Sequence, residues 1–364
     1  MMTTTSIRRL GLGVACLSAL AMASFATVAS AASIADVAMM SGPDRQAKLE
    51  AGAKAEGGVN LYTTLIVPQA VEPLKAGWDK KYPNIKFNFY RADQAPLVQR
   101  IMSETRAGSP AADVVVGSTA DALNRAQLLQ SFTSPELSAF PKEYIGKDNL
   151  WAIYRLAYFG IGYNTKLVPE AVAPKSWEDL LDPKWNGKMI WATSRDTGGM
   201  FLIYHLRKIW GEKKAGEYFD KLATQRVAKS SASVRTLLDL VIAGEHAMLI
   251  TTSLNHAIIS KGEGAPVWFT SPDPVGARPD SIMVLNNMPH PHAAMLLTDY
   301  ILSREGQAIL AKAEYQVARR DVDPLPSMRP IIPELNGKTA NMYPPEDITP
   351  VEDQLQAIFN KVSP

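Results

Sequence analysis

"IKFNFYRADQAPLVQRIM", residues 85–102, is the stretch on which the fold class turns. Ile85, Phe87 and Phe89 alternate with Lys86, Asn88 and Tyr90, the period of two that marks a strand. Leu97, Ile101 and Met102 then recur at helical spacing, and Arg91 to Gln94 form the junction between the two patterns. The unit repeats on either side. Val59 to Thr63 reads as a buried strand, followed by Val71, Leu74 and Trp78 on one helix face that Pro83 ends. Asp113 to Val116 reads as a strand, and Thr119 to Leu129 as a helix with Thr119 or Ser118 at its N-cap. Strands alternating with helices predict an α/β fold with crossover helices.

After Trp151 the rhythm changes to two short strand-like pieces, Ala152 to Leu156 and Phe159 to Tyr163, joined through Ala157 and Tyr158. A second run of alternation starts at Lys188 and continues through Met248 to Thr252. Beyond Pro274 come a strand from Ser281 to Leu285, one long helix from Ala293 to Ala313, and a proline-studded tail expected to wrap back on the first lobe. The expected division is a signal segment at 1–31, a discontinuous first lobe at 32–150 and 274–364, and a second lobe at 151–273.

The 364 residues are 46% hydrophobic and 20% charged, enough for about two domains. Lys plus Arg number 38 against 36 Asp plus Glu, and the basic residues are scattered, so no nucleic-acid partner is expected. Arg8 and Arg9 precede a mostly apolar run from Leu10 to Val28, and Ala29-Ser30-Ala31 supplies the small-x-small pattern of a signal-peptidase site. Export to the periplasm follows, with cleavage after Ala31; the paired arginines suit either the twin-arginine or the general route. The strongly apolar part of the run is short for a membrane anchor. Cys16, the one cysteine, lies inside this leader, so the mature chain has neither thiol nor disulfide.

Several phrases carry a family resemblance. "GIGYNTKLV" (160–168), "PKSWEDLLDPKWNGKM" (174–189), "NNMPHPHAAMLLTDYILSREGQAIL" (286–310) and "FYRADQAPLVQRIMSETRAGSPAADVVVG" (89–117) resemble the periplasmic solute-binding proteins of ABC importers. The branch is the one that holds ferric-ion, phosphonate, thiamine and sugar-phosphate receptors. The resemblance implies a two-lobe type II periplasmic-binding-protein fold with hinge crossings and a central cleft. It also implies a monomer that hands a small solute to ABC permease transmembrane subunits.

In such a fold the solute lies where strand C-termini meet helix N-termini, as expected for open α/β sheets generally. That rule selects Thr63, Thr64, Arg91, Gln94, Ser118 and Thr119 in the first lobe. In the second it selects Ser194, Arg195, Thr197, Gly198, Gly199, Ser231, Ser233, Thr252, Ser253 and Asn255. "SRDTGG" (194–199) has two readings: Asp196 or Thr197 caps the following helix, or its backbone N–H groups receive an anion. Arg91 either grips a carboxylate or phosphonate in bidentate fashion or pairs with Asp93 at the surface. Tyr62 and Trp191 read as core, and His256 as a capping or solvated residue within reach of a solute.

Ferric-binding members of the branch carry a histidine after the first strand and paired tyrosines after the second-lobe strand. Here those places read Tyr62-Thr63-Thr64-Leu65 and Thr251-Thr252-Ser253-Leu254-Asn255-His256, which disfavours bare iron. His290 and His292 in "PHPH" lack a neighbouring carboxylate or thiol in the sequence, so no metal site is assigned. No G-x-S-x-G, H-E-x-x-H or phosphate-loop pattern occurs, and neither catalytic residues nor a cofactor are expected. The expected solute is a small anion: a carboxylate, phosphonate or sugar phosphate. The alternatives are a ferric complex, a thiamine-like cation or, in another class, a periplasmic enzyme.

Overall fold

The computed structural model describes residues 32–193, 198–343 and 345–362, without the side chains of Pro345 and Glu346. The leader and Ser194 to Thr197 lie outside the described residues. Everything below concerns the body from Ser33 onward.

Twelve strands are present among the described residues: β1 (Gly58–Thr63), β2 (Lys86–Arg91), β3 (Val114–Gly117), β4 (Leu129–Gln130), β5 (Ala152–Asn164) and β6 (Met189–Ala192). They continue with β7 (Ala228–Ser230), β8 (Met248–Ser253), β9 (Val267–Thr270), β10 (Val275–Leu285), β11 (Gln316–Val317) and β12 (Ala340–Met342). The two pieces expected between Ala152 and Tyr163 are one strand, β5, with every residue buried. Ala157 and Tyr158 tolerate extended backbone, and no turn residue interrupts them. At ~3.3 Å per residue, such a strand is long enough to serve the two halves of one sheet in succession.

That is what it does. The order β2-β1-β3-β10-β5-β8-β6-β7 runs unbroken through the sheet. In the first half, β1 pairs in parallel with β2 and β3, and β3 then pairs antiparallel with β10. In the second, β6 pairs in parallel with β7 and β8, and β8 pairs antiparallel with β5, which also carries β9 on its other edge. Each half therefore repeats one plan: three parallel strands closed by an antiparallel strand belonging to the crossing pair. β5 and β10, paired antiparallel along 152–159 and 276–282, connect the halves.

Two apolar cores follow this division in part. One joins the first half to the helices Val234–Ala243 and Leu254–Gly262. The other gathers Trp177, Trp185, Trp191, Phe201 and Phe219 with Phe359 of the last helix. The tail thus differs from expectation: Glu352–Val362 packs on the helix Gly199–Ala223 of the second half, burying Leu355, Phe359 and Val362 there. An amphipathic helix goes where an unfilled apolar surface is, and the aromatic floor around Trp191 supplies it. The expected single helix 293–313 is also two, Pro291–Leu302 and Arg304–Lys312. Ser303 takes an extended conformation between them, and its hydroxyl accepts the Gly306 N–H to cap the second.

Candidate solute-binding cleft

The strand registers fix the cleft. Gly117, the last residue of β3, lies opposite Ser281 of β10. Ser253, the last residue of β8, lies opposite Phe159 of β5, which in turn faces Gly276 of β10. The two rows of strand ends are therefore separated along β10 by residues 276 to 281, at most ~17 Å of extended chain. A register irregularity between Asp280 and Ser281 bends the crossing there.

In the first wall, Thr63 is buried and its Oγ1 accepts the Leu65 N–H at 2.9 Å. The Thr64 N–H donates to the Val116 carbonyl at 3.2 Å, and its side chain lies 3.0 Å from where a Cβ on Gly117 would stand. Gly117, at φ +155°, is glycine because the two strand ends approach so closely. Gln94 and Ser118 are joined twice: Ser118 Oγ donates to Oε1 at 2.5 Å, and Nε2 donates to the Ser118 carbonyl at 2.8 Å. Thr119 is buried against Met283, 3.7 Å from its sulfur. Arg91 is paired with Asp93 at 2.8 Å, the surface arrangement.

In the second wall, Ser194, Arg195 and Thr197 lie outside the described residues. Gly198 is the N-cap of the long helix, and a Cβ on Gly199 would stand 1.9 Å from the Phe359 ring. Close packing of the C-terminal helix thus accounts for Gly199. Ser231 is exposed. Ser233 caps the following helix, accepting the Thr236 N–H at 3.1 Å. Thr252, Ser253 and Asn255 are buried together, with Ser253 Oγ donating to Asn255 Oδ1 at 2.6 Å. None of these hydrogen bonds joins one wall to the other.

Between the walls, the crossing strands carry charge that the sequence reading passed over. Arg155 on β5 stands opposite Asp280 on β10, and Arg278 stands opposite Ala157, so all three side chains share one face of the ribbon. Arg155 forms an ion pair with Asp280, its Nε donates to the Tyr154 hydroxyl at 3.3 Å, and its guanidinium stacks 4.5 Å from the Tyr315 ring centre. Arg278 lies 3.7 Å from Asp280, which is wholly buried, while its own side chain keeps 14% exposure. His256 is close enough to feel these groups. Burial, then Arg235, Arg155 and Arg278, push its pKa down to about 3, so it is neutral, and its Nδ1 is buried without a hydrogen-bond partner. A visible signal existed: "AIYRLAYFG" and "VGARPDSIMVL" each place charge inside an apolar strand, where it must find a partner or a ligand. The partners are more than a hundred residues apart.

The histidines of "PHPH" do have carboxylates, brought from elsewhere. Asp113 accepts the His290 N–H at 2.8 Å and contacts His290 Nδ1 at 2.9 Å. Glu56 accepts the N–H groups of His292 and Ala293 at 3.0 and 2.8 Å, capping the helix that starts at Pro291. Burial raises the Asp113 pKa to about 6 against the pull of His290. Among the described residues no group of three or more His, Cys, Asp or Glu is placed to hold a metal ion. Tyr62 and Trp191 are core, as read from the sequence, and the Tyr62 hydroxyl donates to Glu104 at 2.7 Å.

Residues 109–331 match the model of the bacterial extracellular solute-binding proteins. The chain belongs to that family. A receptor of this kind is periplasmic and serves an ABC importer by binding a small solute. Among its relatives is a Salmonella typhimurium protein provisionally named 2-aminoethylphosphonate-binding periplasmic protein, 27% identical over 256 residues, covering 67% of this receptor and 73% of the relative. Iron uptake protein A1 of Synechocystis is 26% identical over 248 residues, covering 64% and 68%. Similar solved structures include AfuA of Actinobacillus pleuropneumoniae with fructose 6-phosphate, 22% identical, covering 84% of this receptor and 98% of that chain at a TM-score of 0.70. Iron-bound HitA of Pseudomonas aeruginosa is 22% identical, covering 83% and 99% at 0.69. These likenesses confirm the two-lobe type II fold.

Proposed function

We propose that this receptor captures a small anionic organic solute, a phosphonate, sugar phosphate or carboxylate, over the β5–β10 crossing. The observation behind this reading is the pair of guanidinium groups there: Arg155 and Arg278 lie on one face of the crossing ribbon with Asp280 buried between them. Guanidinium is the side chain best matched to a planar or tetrahedral oxyanion. The neutral His256 Nδ1 offers one further hydrogen bond beside it. From the walls, Thr63, Thr64, Arg91, Gln94, Ser118 and Thr119 on one side would meet Ser194, Arg195, Thr197, Gly198, Gly199, Ser231, Ser233, Thr252, Ser253 and Asn255 on the other. A solute held by both walls shifts the population toward the closed form, since only closure supplies all its partners. The receptor would do this as a monomer.

A second reading is favoured by the iron named in one relative and in several solved structures, one of them holding iron and citrate. Physical chemistry restricts its form. A bare trivalent ion is repelled by the guanidinium groups, and the places where ferric-binding members carry a histidine and paired tyrosines read Thr63-Thr64 and Thr251-Thr252-Ser253 here. Iron would therefore enter only inside an anionic complex that supplies most of its own ligands.

Calorimetric titration of the mature receptor with 2-aminoethylphosphonate, fructose 6-phosphate, citrate, ferric citrate and a ferric salt separates these readings. Binding of at least one anion is expected, with Arg278→Ala weakening it tenfold or more while the circular dichroism spectrum is unchanged. Binding of the ferric salt alone, or of an anion at undiminished affinity in the variant, would overturn the assignment.

A further inference from the structure

Within twenty residues the C-terminal segment touches the hinge, the first wall and the second wall in turn. β12 pairs with β10 at Val275 to Ala277, on the crossing itself, and the Tyr343 N–H donates to the Ala277 carbonyl at 2.9 Å. The Tyr343 hydroxyl then reaches His205 Nδ1 at 3.1 Å. Six residues on, Thr349 Oγ1 donates to Asp121 Oδ2 at 3.1 Å, in the first turn of the helix that follows β3. The helix Glu352–Val362 next lays Phe359 against Trp191, 5.0 Å between ring centres, and over Gly199 at the start of the helix that follows β6. Lys361 pairs with Asp220 at 2.6 Å, and Arg207 Nη2 donates to Gln354 at 3.3 Å, fastening the same helix to the second half.

Asp121 and Gly199 stand just beyond the C-terminal ends of β3 and β6, the two rows that face each other across the cleft. A chain fixed at both points resists their separation. The two anchors are unequal. Phe359, Leu355 and Val362 are buried in the second core, whereas the first wall is met through the hydrogen bond from Thr349 to Asp121, whose carboxylate also serves Arg125 at 2.6 Å, and through the short helix Pro345–Ile348 lying against Ala120–Arg125. An apolar anchor of this size stays in place, and the polar one is free to exchange with water.

We propose that the helix Glu352–Val362 and the Thr349–Asp121 contact before it act as a strap that limits how far the cleft opens, with the Thr349–Asp121 contact as its releasable end. The inference rests on the hinged-receptor reading but on no particular solute. Its consequence is a narrower unliganded ensemble, so that less ordering remains to be done when a solute arrives.

The test uses the unliganded receptor, so that it stands apart from the search for the solute. Because the mature chain has no cysteine, Lys86→Cys and Lys166→Cys give unique spin-label sites at exposed positions of the two halves. Pulsed dipolar distances are compared for the full mature chain, a chain shortened after Tyr343, and Asp121→Asn with Thr349→Val. The second variant leaves the buried helix untouched and decides the matter if the shortened chain fails to fold. Distance distributions widened by several ångströms in the folded variants are expected. Distributions superimposable on that of the full chain in the folded variants would overturn the proposal.

Discussion

His205 shows how a single buried side chain sets a pH dependence. It lies inside the Gly199–Ala223 helix with Nε2 against the Pro274 carbonyl at 3.0 Å and Nδ1 against the Tyr343 hydroxyl at 3.1 Å. A neutral ring protonated at Nε2 satisfies both contacts; a second proton on Nδ1 would turn the hydroxyl from donor to acceptor and leave a positive charge in a buried site. Burial holds its pKa down to about 4. Between pH 6.5 and 4 the unfolded chain therefore binds a proton that the folded chain refuses, and stability falls as pH falls, by about 1.4 kcal/mol per pH unit for one such group. His256 acts in the same direction, and Asp113, raised to about 6, acts in the opposite one between 3.8 and 6. Urea unfolding of the parent and His205→Gln from pH 7 to 4.5 should show their stability difference narrowing as pH falls. Parallel curves would exclude this role for His205.

At the scale of elements, the decisive packing is between the two helices that meet at Gly199. The sequence offers "GG" at 198–199 as a place for backbone to meet an anion, yet the space beside Gly199 belongs to Phe359. A methyl group there must push aside a ring already wedged against Trp191 and buried to within 2% of full cover. Gly199→Ala is therefore expected to destabilise the fold by about 1–3 kcal/mol. Phe359→Leu, which trims the ring, should recover part of that loss, so the double variant lies well above the sum of the singles. Chemical denaturation of all four proteins gives the coupling energy, and additivity would mean that the contact is absent in solution. The crossing strand β5 teaches a similar lesson in reverse. Its apolar pattern was legible, but its unity was not, because one strand serving both halves of a sheet shows the same buried residues as two strands serving one half each.

For the whole molecule, the repeated plan of three parallel strands closed by a crossing strand leads us to propose that the two halves close on each other about the β5–β10 crossing. A compact chain of this length has a radius of gyration of about 20 Å. Solution scattering with a saturating anion should approach that value from roughly 1 Å above it in the unliganded receptor. An unchanged radius on saturation would argue against closure as the response to solute.

Period-two and helical spacing determined the α/β class, the positions of β1, β2 and β3, and the placement of Tyr62 and Trp191 in the core. These depend on local patterns that each segment carries by itself, and the family phrases extended them to two lobes. What tertiary structure decided depends on partners distant in the chain. Arg155 meets Asp280 across 125 residues, Glu56 and Asp113 reach the histidines of "PHPH", and Phe359 comes back to Gly199. Buried charge and close-packed glycine announce that a partner exists, because leaving either uncompensated is costly, but only the folded register says which residue it is.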